Sequence, residues 1–410
     1  MTRVLLLPIF LICSMAQSAE MLPNITTSSR HALAPIAPDG KWIFQLEARS
    51  TYYNSMYDQN GKNQALGSDY NGVQLDRSVF PLLALMGPGA SLGSVSLVSD
   101  VSVQRAQFTL GYGLSDNVTL GLIGTVDSIT NHVQFTAGGG NIGSNPAFNP
   151  AAAIGPANFP FAPVGAGALQ PMRTIDINSI LVNPAFGYAY KPIQASKTHG
   201  LSTLLLGTVW RAYQGDSDSV VLAFGVRGSF AKEKDPDNLF DVPVDDGTTD
   251  VLTQIEYYRQ MTSMFDVRLM ARRVFQLSDR ITARVAAPGQ LLALASSKEI
   301  LDRNMGDYWE YDVETGVSMG NWRISGTWHR FLKKADHYYS PRSQDVTALM
   351  QNTAIRADQW RLGVSWSGLD AWLKKEISIP LMVKFEMQDT LRGRNMGDLR
   401  DYYLLVTSFY

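Results

Sequence analysis

Polar side chains, many of them acidic or basic, alternate with mainly apolar ones in two neighbouring segments of the chain, 306–319 and 322–333. A triad for nucleophilic catalysis can be assembled from Ser325, His329 and Asp312, but no motif that marks a nucleophile surrounds Ser325. The sequence also lacks the metalloprotease, phosphate-binding and dinucleotide-binding motifs. We therefore expect no enzymatic activity, no catalytic residue, no cofactor and no metal.

The spacing of these charges predicts the elements that position them. Successive side chains of a β-strand point to opposite faces, so charges at alternate positions share one face, and apolar residues share the other. Gly320-Asn321 suits a two-residue hairpin turn between the two segments. That turn sets three cross-strand pairs: Asp312 with His329, Ser318 with Arg323, and Glu314 with Thr327.

Strands with one polar and one apolar face are typical of a barrel wall between lipid and a polar lumen. Two further alternating segments, 357–367 and 377–390, extend the polar face. The acidic and basic residues balance, which favours a structural charge network over a row of charges that selects polar solutes, although the sequence leaves both open. The lumen-facing candidates are Glu310, Asp312, Glu314, Arg323, His329, Arg361, Lys384 and Glu386.

The same alternation along the chain predicts an all-β fold, a closed antiparallel transmembrane β-barrel of 12 strands. An even number places both chain ends in the periplasm and the long loops on the outer side. An alternative count of 14 arises if Thr174–Lys191 forms an extra pair. The predicted strands are 41–56, 100–113, 118–135, 199–213, 218–231, 250–260, 263–285, 306–319, 322–333, 357–367, 377–390 and 399–410.

Composition separates this barrel from a soluble β-sandwich or propeller. Charged residues make up 18% of the chain, whereas soluble domains have about 25%. Tryptophans are concentrated in the last third of the sequence, as expected for the aromatic girdles of a membrane barrel. A net charge of −2 argues against nucleic-acid binding.

The N-terminus has the features of a secretory signal. Arg3 precedes the apolar run Val4–Ile12, and mostly small residues follow it. The run is far shorter than the roughly 20 residues of a spanning helix. We therefore predict a signal peptide at 1–19, with the barrel at 41–410. Cys13, the sole cysteine, lies in this signal, and Ile12 before it argues against a lipoprotein.

The longest predicted loop, 136–198, is rich in Gly, Ala, Pro and Asn. Loops of this length are usually functional or disordered. The tetrapeptide Asn-Pro-Ala-Phe occurs in it twice, at 145–148 and 183–186. We interpret the loop either as a surface cap or as a segment that folds inward and constricts the lumen.

The last predicted strand ends on an aromatic residue. Its outward face carries Tyr402, Leu404, Val406 and Tyr410, which resembles the C-terminal signal of outer-membrane barrels. The expected localisation is therefore the cell outer membrane. The expected partners are the lipid bilayer with its lipopolysaccharide, the barrel-assembly machinery and a small hydrophobic solute, with no nucleic acid.

Several loose motifs resemble an exported barrel family of the phenol meta-cleavage pathway type, distantly like the FadL-type channels for hydrophobic compounds. The matching segments are Trp42–Lys62, Leu110–Gly121, Gly200–Ser202 and Asn304–Asp307. The resemblance implies passive uptake of small hydrophobic or aromatic compounds, with 20–40 as an N-terminal segment that enters the lumen as a plug. No ligand-binding residue of the family can be placed on this sequence. The alternative function is a structural or surface-interaction barrel with a closed lumen.

Overall fold

Twelve long antiparallel strands close into a single barrel, which confirms the predicted fold class and strand count. The computed structural model describes residues 36–165 and 170–409. Each strand pairs with its neighbours in chain order, and the last pairs with the first. The strands are β1 (Trp42–Tyr53), β2 (Gly93–Ser115), β3 (Val118–Gly139), β4 (Ser196–Gln214), β5 (Asp218–Ser229), β6 (Thr249–Gln260), β7 (Phe265–Gln276), β8 (Tyr308–Met319), β9 (Trp322–Lys333), β10 (Ile355–Ser367), β11 (Leu381–Arg394) and β12 (Arg400–Phe409).

Alternation of side chains fixes both the register and the two faces of the wall. In the β8–β9 hairpin, Asp312 lies opposite His329, as the Gly320-Asn321 turn predicts. On the outward face, Trp322 pairs with Trp366 and Trp328 with Trp360 across β9 and β10. A slip of one residue would move the charges to the outside, so the register is strongly specified.

Three strand predictions need correction. The 14-strand alternative is wrong, because its extra segment forms helix α1 (Thr174–Val182). The predicted strand 263–285 ends at Gln276, and the segment Asp279–Arg284 pairs with Lys298–Asn304 in a separate outer sheet. The strand predicted at 377–390 is β11, which starts after Pro380 because proline has no N–H for the ladder.

The connections at the outer end of the barrel, which is the end opposite the Gly320-Asn321 turn, carry most of the remaining secondary structure and pack on each other. Leu83, Ile177 and Phe240, from three different connections, belong to one apolar cluster. The loop predicted at 136–198 spans 140–195 and contributes to this outer layer. The other elements are the strands Ser55–Tyr57, Asn63–Ala65, Ile142–Ser144, Phe161–Pro163, His337–Tyr339 and Met396–Gly397, the 3₁₀ turns Ser68–Tyr70, Pro81–Met86, Pro184–Phe186 and Ala295–Ser297, and helix α2 (Thr347–Met350).

Repeated Asn-Pro-Ala segments of the long connection adopt one local structure. The side-chain oxygens of Asn145, Asn149 and Asn183 each accept a hydrogen bond from the backbone N–H two residues later, at 3.0, 3.0 and 2.9 Å. Such Asx turns are formed by short polar side chains that bond their own backbone. The repeat is therefore a turn motif.

The inner connections are short except for one. Between β10 and β11 the chain forms helix α3 (Leu369–Leu373). Within the described residues, no helix is long and apolar enough to cross a membrane.

Candidate functional site

All eight lumen-facing candidates lie on the buried face of the barrel wall, and none is more than 8% exposed. Their outward-facing neighbours are open, with Val313 at 41% and Trp322 at 54% exposure. The interior of the barrel therefore contains a dense set of charges between β6 and β11. Whether these charges control the passage of a solute stays a prediction.

Asp312 on β8 lies at the centre of these charges. Its Oδ1 is 2.6 Å from His329 Nδ1 on β9. Its Oδ2 is 3.7 Å from a guanidinium nitrogen of Arg268 on β7 and 3.9 Å from one of Arg361 on β10. One carboxylate thus joins side chains from four strands, counting its own.

Glu314, two residues further along β8 and on the same face, extends the network. Its Oε1 accepts a hydrogen bond of 2.7 Å from Arg323, and its Oε2 lies 3.6 Å from Arg268. Arg268 also donates to Glu256 Oε2 on β6 at 3.0 Å. Arg268 therefore lies among three carboxylates, which offsets the cost of burying its charge.

The other predicted residues lie at the edges of this network. Glu310 accepts a hydrogen bond of 3.0 Å from Arg272, and Lys384 lies 2.7 Å from Glu386 on β11. Arg361 also donates to Gln388 at 2.9 Å. The structure thus gathers Asp312, Glu314, Arg323, His329 and Arg361 into one network and leaves the others at its edges.

Sequence reasoning missed Arg268, Arg272 and Glu256, which complete the network. The signal in β7 was the alternation of Arg268, Met270 and Arg272, all on the buried face. Arg273 beside Arg272 obscured that alternation, because it points to the opposite face, with its side chain 31% exposed.

The residues of the hypothetical triad do not meet. His329 bonds Asp312, but Ser325 lies four positions away on the same strand, which is about 13 Å along a β-strand. That distance is far beyond hydrogen-bond reach for a nucleophile and its base. Among the described residues, no group of three or more His, Cys, Asp or Glu side chains is arranged to hold a metal ion.

An apolar layer lies above the charges, toward the outer mouth. It includes Tyr53, Leu252 and Tyr308 from the outer ends of three strands. Val242 and Val244, from the connection between β5 and β6, belong to the same cluster and are 1% and 4% exposed. The β5–β6 connection therefore folds into the outer mouth, whereas residues of loop 136–198 such as Ile177 pack in the outer apolar cluster, and whether that loop also constricts the lumen stays a prediction.

The outer loops enclose a mainly apolar cavity of about 120 Å³. Its polar margin includes Arg284, whose guanidinium stacks 4.1 Å from the centre of the Tyr190 ring. The Tyr190 hydroxyl donates to the Ala293 carbonyl at 2.7 Å, which fixes the aromatic wall. The apolar lining comprises Leu239, Ile281, Ala283, Val285, Leu291 and Leu349.

A second cavity, of about 190 Å³, adjoins this pocket, and Lys234 and Ile281 line both. The second cavity is bordered by Asp246, which accepts a hydrogen bond from Gln276 at the end of β7, and by Asp336 next to the end of β9. The outer ends of two barrel strands thus lie close to this cavity.

Ion pairs hold the loops around the first cavity. Asp237 accepts hydrogen bonds of 2.6 Å from Lys298 Nζ and 2.9 Å from Arg284 Nε. Burial favours a higher pKa for the Asp237 carboxyl, but the hydrogen bonds from Lys298 and Arg284 outweigh it and lower that pKa. Nearby, burial raises the pKa of the Tyr188 phenol to about 12.

The first described residues of the chain lie inside the inner mouth. Ile36 packs with Val221 and Tyr258, and the Ala37 N–H donates to Thr119 Oγ1 at 2.9 Å. The predicted signal peptide at 1–19 and most of the predicted plug at 20–40 lie outside the described residues.

The terminal strand closes the barrel, with Leu46 of β1 opposite Val406 of β12. Tyr402 and Leu404 point outward, at 44% and 47% exposure, whereas Tyr410 lies outside the described residues. Recognition of this strand by the assembly machinery stays a prediction.

Several solved structures resemble this chain, and the first of them supports the fold. The COG4313 outer membrane channel from Pseudomonas putida F1 aligns with a TM-score of 0.51 at 10% sequence identity, over 91% of this chain and 96% of that chain. The transport unit of the autotransporter AIDA-I from Escherichia coli scores 0.42 at 6% identity, over 98% and 97% of the two chains. A monoaromatic hydrocarbon channel, a TodX mutant, scores 0.38 at 11% identity, over 91% of each chain.

No model of a known protein family matches the sequence. No curated protein matches it either. The barrel is similar in fold to a solved outer-membrane channel, and at 10% identity that likeness concerns the fold alone.

Proposed function

We propose that the protein is an outer-membrane channel for passive uptake of small hydrophobic or aromatic compounds. The apolar cavity between the outer loops carries this proposal. Its volume of about 120 Å³ is of the same order as the apolar cavity of about 150 Å³ that binds benzene in an engineered protein. A cavity of this size accommodates one aromatic ring.

The arrangement beneath the cavity supports a route inward. The second cavity adjoins the first, and the apolar layer with Val242 and Val244 lies in the outer mouth. Charged side chains, among them Glu233, Arg303 and Asp336, line the second cavity, so the apolar surroundings on this route are those of the first cavity and of the apolar layer. The motif resemblance to the phenol meta-cleavage type of barrel agrees with this substrate class.

The charged network favours a second candidate, a structural or surface-interaction barrel with a closed lumen. Side chains from non-adjacent strands meet there, as Arg361 and Asp312 do. Such contacts leave little room for a solute beside them. Uptake of toluene into liposomes that contain the purified protein distinguishes the two candidates, because a closed lumen passes no solute.

Binding of toluene to the purified protein in detergent tests the channel proposal. Ala348 lines the cavity, so Ala348→Trp should fill it and abolish saturable binding. Ala152→Trp is the matched control, because Ala152 is exposed in the outer layer away from the cavity. Equal binding by all three proteins would contradict the assignment of the cavity.

A further inference from the structure

Three arginines converge on one carboxylate near the outer end of β9, β10 and β11. Arg330 Nε donates to Asp358 Oδ1 and Arg392 Nε donates to Asp358 Oδ2, both at 2.7 Å. Arg356 lies 3.9 Å from the same Oδ2. We call these four residues the Asp358 cluster.

The cluster faces away from the lumen. Asp358 and Gln359 are adjacent in β10 and both are buried, on opposite faces of the wall. Gln359 bonds the inward-facing Thr390 at 3.1 Å, whereas Asp358 is covered by the arginines on the outer side. The side chains of Arg356 and Arg392 are 53% and 68% exposed, so the basic groups form the surface.

The charges within the cluster do not balance. Three guanidinium groups around one carboxylate leave a net charge of +2 (3 − 1). Arg394 lies opposite Arg356 in the β10–β11 register and adds a further positive charge. These like charges repel one another, and an anion that shares the site relieves the repulsion.

An apolar, aromatic surface adjoins the cluster on the side of the membrane interior. The Arg330 guanidinium lies 4.9 Å from the centre of the Trp328 ring, and Trp360 is directly opposite Trp328. Leu391 on β11 is 55% exposed. Interfacial tryptophans mark the level of the lipid headgroups, so the arginines lie at headgroup height with an apolar wall below.

We propose that the Asp358 cluster binds a phosphate of a phosphorylated glycolipid, of the lipopolysaccharide type, in the outer leaflet. The proposal rests on the proposed location in the outer membrane. The planar fork of arginine matches phosphate oxygens in pairs, and several arginines can share one dianionic phosphate. The acyl chains of the same molecule would lie along Leu391 and Trp328.

Native mass spectrometry of the purified full-length protein in detergent tests this site. The probes are diphosphorylated lipid A, the same lipid after enzymatic removal of its phosphates, and inorganic phosphate. The double variant Arg356→Gln/Arg392→Gln should bind diphosphorylated lipid A at least about tenfold more weakly, a tenfold change being the loss of roughly one charge-assisted hydrogen bond. Arg356→Lys/Arg392→Lys should retain part of the affinity, because it keeps the charges.

Arg280→Gln is the matched control, because Arg280 is also an exposed arginine, at 77%, paired with Asp302 at 3.0 Å in the outer sheet. It should bind lipid A as the wild type does, and heat-dependent gel mobility checks that every variant is a folded barrel. Equal binding by the folded double variant, or equal binding of dephosphorylated lipid or inorganic phosphate, would overturn the proposal. The assay measures lipid binding alone. A loss of lipid binding therefore bears on this site, whereas a loss of toluene uptake bears on the proposed channel.

Discussion

Arg361 on β10 reaches past β9 and places a guanidinium nitrogen 3.9 Å from Asp312 Oδ2 on β8. Side chains from strands that are not neighbours therefore meet inside the barrel. The contact shows that long side chains on the concave face of the wall reach beyond the adjacent strand. A solute that enters from the outer cavities must pass beside this network.

Removal of Arg268 should destabilise the barrel strongly. Its side chain is fully buried and lies among Glu256, Asp312 and Glu314. Arg268→Met would leave these carboxylates without that partner, and breaking a buried ion pair costs about 3–5 kcal/mol. Equilibrium unfolding by urea in lipid vesicles measures the loss.

The surface variant Arg280→Met provides the comparison for Arg268→Met. Its pair with Asp302 is exposed, and exposed ion pairs contribute at most about 1 kcal/mol. A similar loss of unfolding free energy in the two variants would contradict the structural importance of the lumen network.

Shortening the two inward valines should open the outer mouth. Burial of a valine side chain contributes about 1.5–3 kcal/mol, so Val242→Gly/Val244→Gly should weaken the seating of the β5–β6 connection. Single-channel recordings should then show a larger conductance or more frequent opening. The control Leu85→Gly removes an apolar side chain that is 70% exposed and should leave the current unchanged. No difference between the two variants would place the constriction elsewhere.

Acid should loosen the loops around the outer cavity. The pKa of Asp237 is lowered in the folded protein by Lys298 and Arg284, so its stabilising effect is present above the unfolded-state pKa of about 3.9. That effect is lost as the pH falls through the lower folded-state pKa. Hydrogen exchange in the peptides around Asp237 should rise in this range, and Asp237→Asn should exchange faster at neutral pH and respond less to acid. Identical pH profiles in the two proteins would contradict this role.

The inner mouth offers a direct test of the N-terminal segment. Ile36 is 7% exposed, whereas Asp39 is exposed. Since Cys13 lies in the predicted signal peptide, Ile36→Cys and Asp39→Cys would each carry a single thiol. We expect the thiol at position 36 to react much more slowly with a polar maleimide, because reactivity requires exposure. Equal rates would show that the segment does not lie in the barrel.

The β8–β9 hairpin illustrates what the sequence could predict. Strict alternation and a two-residue turn were enough to place Asp312 opposite His329, because both signals are local. The strand predicted at 263–285 was too long, because alternation continues through Ile281 and Ala283, which belong to the outer sheet. Alternation alone does not identify the partner strand.

The side chains that pack inside the barrel were harder to predict. Val242 enters the apolar layer through contacts with residues distant in sequence, and nothing local to the β5–β6 connection indicates that direction. The partners of Arg268 likewise depend on barrel closure and curvature. Side chains can therefore be assigned to a face from sequence, but their partners across the lumen require the fold.

Uptake of radiolabelled toluene by cells that make the protein tests the central claim most directly. We predict that the wild-type protein raises the initial rate of uptake above that of cells without it, and that Ala348→Trp, at equal abundance in the membrane, removes most of the increase. An initial rate that is the same with and without the wild-type protein would contradict the proposed function.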